Sequence, residues 1–239
     1  MSDVSAQWLV TGGSGLLGGE LKPLMPGALY PTSAEFNVCD YESLRAYVAG
    51  KSIVGVLHAG AFTSPPKINE YPVRALQVNI IGTANVVRLC AEQGWRLVYV
   101  STDYVFRGDA GPYAEGDPVM PVNKYAWSKL GGECAVRLYD NALIIRTTFG
   151  ENAFPYPKAF TDQWTSRLGV AQMAPKIVKA ALSSVTGTLH VGGPRRTVYE
   201  YAKSLDPAKE IGALSINDIN FAVPVDTSLD TGRYDREIG

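Results

Sequence analysis

Residues 8–24, WLVTGGSGLLGGELKPL, join a short apolar run to a glycine cluster and then to apolar residues at helical spacing. Trp8 to Thr11 reads as a strand, the glycines as a turn, and Leu16 to Leu24 as a helix that stops before Pro26 and Gly27. Gly12, Gly15 and Gly18 stand in a G-x-x-G-x-x-G pattern where the strand ends and the helix opens. Gly12 would let the chain turn tightly, Gly15 would let backbone approach a pyrophosphate, and Gly18 would let the helix pack on the strand. The helix N-terminus adds unpaired N–H donors and the positive end of its dipole. Together with Ser14 inside the loop, these glycines are the candidate contacts of a dinucleotide.

Outward from this loop the alternation continues. A strand is expected near Ala28 to Tyr30, then a helix in DYESLRAYV with Asp40 as N-cap and Leu44 and Val48 on one face, then a strand at Ile53 to His58. A helix from about Val73 to Glu92 leads into a strand at Arg96 to Val100, and a helix around Tyr125 to Leu138 into one at Ala142 to Arg146. Five successive βα-type units specify a parallel sheet covered on both faces, because parallel neighbours need crossover connections. The expected architecture is α/β, a Rossmann-type doubly wound sheet over residues 1–147. Residues 148–239 form a small C-terminal lobe, expected to be partly interwoven with that sheet. In the lobe Glu151 to Pro157 reads as a loop, Ala174 to Leu182 as a helix and Thr188 to Val191 as a strand; Ser204 to Gly239 resist assignment.

Composition narrows the function classes. The chain of 239 residues is 46% apolar with a formal net charge of −1, so it carries neither a stripe for nucleic acid nor a polybasic patch for a membrane surface. Cys39, Cys90 and Cys134 read as reduced, partly buried thiols, and His58 and His190 form no ligand cluster, so no metal site is expected. The opening MSDVSAQ lacks the regions of a signal peptide, and a cytoplasmic location is the expectation.

Tyr125 and Lys129 form Y-x-x-x-K within NKYAWSKLGGE, an i, i+4 pair on one helix face. Hydride transfer to a carbonyl needs an acid for the developing alkoxide, and a tyrosine beside an ammonium has its pKa lowered towards that task. Lys129 is that ammonium, with further donors for a nicotinamide ribose. With 13 tyrosines in the chain the pair means little alone. Ser101-Thr102-Asp103 at the carboxyl end of the preceding strand gives it meaning, since open α/β sheets bind ligands there. The Thr102 hydroxyl is expected to hold the same carbonyl.

The stretch STDYVFRGDAGPYAEGDPVMPVNKYAWSKLGGE, Ser101 to Glu133, resembles the core of the dTDP-4-dehydrorhamnose reductases, a branch of the extended short-chain dehydrogenases/reductases. The likeness extends through Phe36-Asn37-Val38-Cys39-Asp40, HAGAFT at His58 to Thr63, and Asn79. It implies that Gly15, Leu16 and Leu17 meet a pyrophosphate, Asn37 and Val38 an adenine, and Gly60, Ala61 and Phe62 the middle of the cofactor. Thr102, Tyr125 and Lys129 would be catalytic, with Asp103 and Phe149 near a sugar. Tyr104 stands where related 4,6-dehydratases carry an acidic residue, which favours reduction over dehydration. Two features depart from the family: His58 and Gly60 replace its asparagine and an alanine, and the substrate lobe is shortened between Arg146 and Asp162.

The expectation is an NAD(P)H-dependent reductase of a nucleotide-linked 4-keto-6-deoxy sugar, with a homodimer as candidate assembly. NADP and NAD are both admitted, and NADPH is slightly favoured, because Leu29-Tyr30-Pro31-Thr32-Ser33 lacks the carboxylate that would repel a 2′-phosphate. A nucleotide-sugar epimerase with retained NAD and a non-catalytic Rossmann regulatory subunit are the alternatives.

Overall fold

The computed structural model describes residues 7–219 and 223–239. The reading of the first residues as lacking a signal peptide therefore lies almost wholly outside them. Five parallel strands make the central sheet: β1 (Gln7–Thr11), β2 (Ile53–His58), β3 (Arg96–Val100), β4 (Ala142–Thr147) and β5 (Gly187–Val191), side by side in that order. Alternate residues along them feed opposite faces, as a pleated strand requires. Val10, Leu57, Val98, Ile145 and Leu189 enter one core, Leu9, Val56, Leu97, Tyr99 and Ile144 the other, and all are buried.

The helices divide between the two faces. On the first lie α1 (Leu16–Leu24), buried through Leu17 and Leu21, and a helix from the C-terminal part, Val170–Leu182, buried through Met173 and Ile177. On the second lie α2 (Tyr41–Val48), the helix Thr83–Gln93 and the helix Lys124–Val136. Asp40 caps α2 by accepting from the Glu42 and Ser43 amides. One end of the sheet differs from expectation. The strand at Ala28 to Tyr30 is reduced to one bridge: Leu29 donates to the Trp8 carbonyl at 2.7 Å and accepts from the Val10 amide at 2.8 Å. Pro31, without an N–H, cannot extend that ladder. At the other edge β5, from beyond residue 147, supplies the last strand.

The helix expected from Val73 to Glu92 exists but is irregular. A short helix at Pro72–Ala75 runs through a π-helical stretch, Leu76–Gly82, into Thr83–Gln93, preceded by a separate helix at Pro65–Glu70. In the C-terminal lobe, Lys158–Phe160 pairs in parallel with Gly212–Leu214, and Trp164–Thr165 pairs antiparallel with Arg196–Thr197. Phe154 is buried with Ala159, Val198 and Tyr201, and Phe160 packs on them, so these aromatics close a small core of their own. No helix of the described residues is long and apolar enough to cross a membrane, and none of them form a group of three or more potential metal ligands. All three cysteines are free; Cys39 and Cys134 are exposed, against the expectation of partial burial, and Cys90 is buried.

One buried ion pair fixes the helix Lys124–Val136 to the sheet. Arg146 on β4 meets the Glu133 carboxylate twice, Nε to Oε1 at 3.1 Å and Nη2 to Oε2 at 2.9 Å, and Ser101 Oγ donates to Glu133 Oε1 at 2.6 Å. Neither side chain of the pair is more than 1% exposed. Removing one partner leaves the other charged and dry, so Glu133→Ala is expected to destabilise the fold by about 3–5 kcal/mol in urea denaturation, and the double replacement Glu133→Leu, Arg146→Met by much less. Equal losses in the two variants would contradict the pairing.

Candidate active site

A cleft of about 1010 Å³ opens at the carboxyl ends of β1, β2, β3 and β4, the end at which an open α/β sheet binds ligands. Its lining takes in Gly12, Ser14, Gly15, Leu16 and Leu17 from the glycine loop, Asn37 and Val38, then Gly60, Ala61 and Phe62, and finally Thr102, Asp103, Tyr125, Lys129 and Phe149. Gly12 sits at φ +76°, and a Cβ on it would fall 2.8 Å from the Gly60 backbone, so the two loops approach closely. Gly15 begins α1 with no side-chain cap, and no acidic residue occupies the first turn. The amides there remain free for an anion. Gly18 differs from its expected part as a dinucleotide contact. It lies outside the cleft lining, and a Cβ on it would come 2.3 Å from the Gly12 carbonyl oxygen, so it holds helix against loop.

Behind the Gly60 to Phe62 loop runs a hydrogen-bonded chain that sequence reasoning missed. The Gly60 amide donates to Thr11 Oγ1 at 3.0 Å, and Thr11 Oγ1 lies 2.7 Å from His58 Nδ1. On the ring's other side His58 Nε2 lies 3.1 Å from Thr83 Oγ1, which donates to the Asn79 carbonyl at 2.8 Å. Because Thr83 spends its proton on that carbonyl, Nε2 must carry the hydrogen and Nδ1 must accept from Thr11. The imidazole is fully buried, and burial followed by the Lys129 charge pushes its pKa down to about 3, in keeping with a neutral ring. The Asn79 side chain accepts from the Phe62 amide and donates to the Phe62 carbonyl and to Ser128 Oγ, each at 2.8 Å. Asn79 lies in the π-helical stretch. Only the match of Asn79 to a family asparagine hinted at this in the sequence.

The reacting groups come from two elements. Asn123 caps the helix Lys124–Val136 by accepting the Ala126 amide at 2.8 Å, which starts the helix just before Tyr125 and sets Tyr125, Lys129 and Glu133 on one face. Thr102 ends the β3 loop and accepts the Tyr104 amide at 3.2 Å; its hydroxyl donates to Asp103 Oδ1 at 3.2 Å and lies beside the Tyr125 phenol. Thr227, from the far end of the chain, donates to Asp103 Oδ2 at 2.8 Å. Burial pushes the Asp103 carboxyl up to about 6, opposed by these hydrogen bonds and by the Arg167 charge. Burial also pushes Lys129 down to about 7, while Glu133 acts to raise it, and its Nζ lies 4.1 Å from the Tyr99 ring centroid. The expected lowering of Tyr125 by Lys129 is not what this geometry gives. Burial dominates and raises the Tyr125 pKa, helped by Asp103 and Tyr104 and opposed by the Thr102 hydrogen bond.

Comparison with known proteins follows the same outline. The family model described as "RmlD substrate binding domain" matches residues 6–170. A dTDP-4-keto-6-deoxy-D-glucose reductase of Streptomyces niveus is 30% identical over 220 residues, 82% of this chain and 76% of that protein. Further curated dTDP-4-dehydrorhamnose reductases are matched over about half of their length, 49% and 47% in two of them. The methionine adenosyltransferase 2 subunit beta of Rattus norvegicus is 26% identical over 85% of this chain and 72% of its own. Among solved structures, a hypothetical dTDP-4-dehydrorhamnose reductase from Sulfolobus tokodaii superposes with a TM-score of 0.83 at 27% identity, covering 96% of this chain and 94% of that one. The chain thus spans nearly all of this structure and a smaller share of the curated reductases.

The neutral buried imidazole makes a signed prediction. From pH 6.5 down to about 3 the unfolded chain protonates His58 and the folded chain does not, so His58 costs stability as pH falls through that window and nothing above it. The stability difference between the wild type and His58→Asn, followed by urea denaturation, is expected to shift against the wild type by about 1.4 kcal/mol per pH unit below 6.5. A difference independent of pH between 6.5 and 4.5 would mean that the ring ionises freely.

Proposed function

The chain belongs to the RmlD substrate binding domain family, and from that membership and the cleft's geometry we propose that it is an NAD(P)H-dependent reductase of a nucleotide-linked 4-keto-6-deoxy sugar. The observation that carries this reading is the convergence of Thr102, Tyr125 and Lys129 on one wall of a cleft whose other half is the uncapped glycine loop.

The residues present fit a dinucleotide. A Cβ on Gly12 would collide with the facing loop, and in the first turn of α1 the Leu16 and Leu17 amides are free while the Gly15 amide closes the loop onto the Gly12 carbonyl at 3.0 Å. Asn37 and Val38 would take the adenine, and Gly60, Ala61 and Phe62 the centre of the molecule. Glu35 is the nearest carboxylate in sequence to Thr32 and Ser33, but its Oε2 accepts from the Thr32 amide and hydroxyl, both at 2.8 Å, and it stays out of the cleft lining. That wall therefore leaves a 2′-phosphate unopposed. When bound, the reduced nicotinamide supplies a hydride.

The chain's own part is proton transfer and orientation. Thr102 and Tyr125 bracket the keto oxygen, and Tyr125 gives its proton to the oxygen as it becomes an alkoxide. A phenol kept protonated by burial suits this direction, because an alkoxide is more basic than a phenolate and still takes the proton. Lys129, balanced near neutrality, holds the nicotinamide ribose and restores the tyrosine's proton. Asp103, with Thr227, and Phe149 line the place of the sugar. Tyr104, where an acid would drive loss of water, keeps the reaction at reduction. Free thiols at Cys39, Cys90 and Cys134 go with a cytoplasmic setting.

The likeness to a methionine adenosyltransferase subunit supports a second reading, a Rossmann body used as a binding subunit. The complete Thr102, Tyr125 and Lys129 set favours catalysis. Tyr125→Phe is expected to lower the turnover number roughly 10²- to 10⁴-fold with NADPH affinity nearly intact. Unchanged turnover would take the proton-donor role from Tyr125, and no turnover by the wild type with dTDP-, UDP- or GDP-linked 4-keto sugars would favour the binding subunit. NADPH is expected to bind at least as tightly as NADH in fluorescence titration; strong preference for NADH would count against the reading of Thr32 and Ser33.

A further inference from the structure

The charges along the cleft wall are few. Among the described residues, Asp103 is its only carboxylate, and Arg74, Lys129 and Arg167 are its only cations. Arg74 lies towards the adenosine half, its guanidinium 5.0 Å from the Phe62 ring centroid. Lys129 is nearly buried beneath Tyr125. That leaves Arg167 as the one guanidinium at the end shared with Thr102, Asp103 and Phe149.

The buried Arg146 is engaged by Glu133, and Arg195 outside the cleft by Asp226 at 2.8 Å, while the part-buried Arg96 and Arg196 donate to backbone carbonyls and lie outside the cleft lining. Arg167 has no carboxylate within ion-pair distance among the described residues. Its Nε makes one long hydrogen bond, 3.4 Å, to Thr148 Oγ1. Asp103, whose carboxyl feels the Arg167 charge, is already held by Thr102 and Thr227. The backbone of Arg167 is pinned at both ends, the amide donating to Thr165 Oγ1 at 3.1 Å and the carbonyl accepting from Arg196 Nη2 at 3.0 Å. The lobe thus presents, on a fixed stalk, a half-buried guanidinium that meets the Tyr104 and Thr148 hydroxyls and no carboxylate among the described residues, and a planar fork of donors matches two oxygens of a phosphate.

We propose that Arg167 holds the diphosphate of the nucleotide-sugar substrate, fixing the distance between its phosphates and the keto group at Thr102 and Tyr125. The assignment rests on the reductase reading above and names a residue for its substrate specificity. A sugar lacking the diphosphate would leave the cation unpaired in a partly dehydrated site and would be rejected for that reason.

Calorimetric titration of the full chain with dTDP, UDP and GDP, and separately with NADPH, tests this in the wild type, Arg167→Lys and Arg167→Met. The expected result is at least a tenfold rise in Kd for the preferred nucleoside diphosphate in Arg167→Met. A smaller rise is expected in Arg167→Lys, which keeps the charge and loses the fork, with NADPH affinity within twofold in both. With the keto-sugar, KM should rise while kcat stays within threefold. Equal diphosphate affinity in the wild type and Arg167→Met overturns the proposal, and so does an equal loss of NADPH affinity, which would make Arg167 a support of the whole cleft. If the wild type binds NADPH and none of the three diphosphates, the nucleotide-sugar reading itself falls, and the Arg167 assignment with it.

Discussion

The site depends on a line of hydrogen bonds that begins at the Gly60 amide and passes through Thr11, His58 and Thr83 to Asn79. Each member sits on a different element, and each donor has one acceptor, so the line runs in a single direction. It ties the end of β1 to the end of β2, the Gly60 to Phe62 loop to the π-helical stretch, and through Asn79 and Ser128 to the helix that carries Tyr125. Buried polar groups are tolerated only when paired, and a fully paired chain permits one arrangement where an apolar filling would permit several. The departure from the family's asparagine at position 58 thus lengthens the reach of one side chain without leaving a nitrogen unpaired.

The helix Lys124–Val136 connects this network to the chemistry. Its inward face repeats every four residues: Tyr125 at the cleft, Lys129 beneath it, Glu133 deeper still. Glu133 is committed to Arg146 and Ser101, yet its charge still reaches Lys129 and opposes the burial that would otherwise strip that side chain of its proton. The result is a lysine balanced near neutrality beside a tyrosine kept protonated. That arrangement suits donation to an alkoxide, and it comes from depth along one helix face.

The C-terminal lobe is part of the same machine. It returns a strand to the sheet edge, lays Val170–Leu182 against α1, and sends Thr227 onto Asp103 from 124 residues away. Arg195, paired with Asp226, stacks 3.8 Å from the Trp164 ring centroid and steadies the segment that leads to Thr227. Cleft-lining groups of the lobe therefore inherit the rigidity of the sheet through short connections, although the lobe's own strands are only two or three residues long.

By itself the sequence determined the parallel sheet, the glycine turn, the Asp40-capped helix and the Thr102, Tyr125 and Lys129 constellation, because each is written in local spacing: short apolar runs between helical stretches, a glycine where the chain turns tightly, a cap before an apolar face, an i, i+4 pair after a strand that ends in Ser-Thr-Asp. It also placed Gly18 among the dinucleotide contacts, since a pattern of glycines does not say which of them faces the ligand and which faces the chain. Only the tertiary structure decided that, along with the loss of the strand at Ala28 to Tyr30, the π-helical stretch at Asn79, the direction of the Tyr125 shift, the hydrogen bond from Thr227 to Asp103 and the place of Arg167 on the same cleft wall. These turn on burial and on approaches between residues tens to more than a hundred positions apart, and dielectric surroundings and long-range distance have no signature in neighbouring letters.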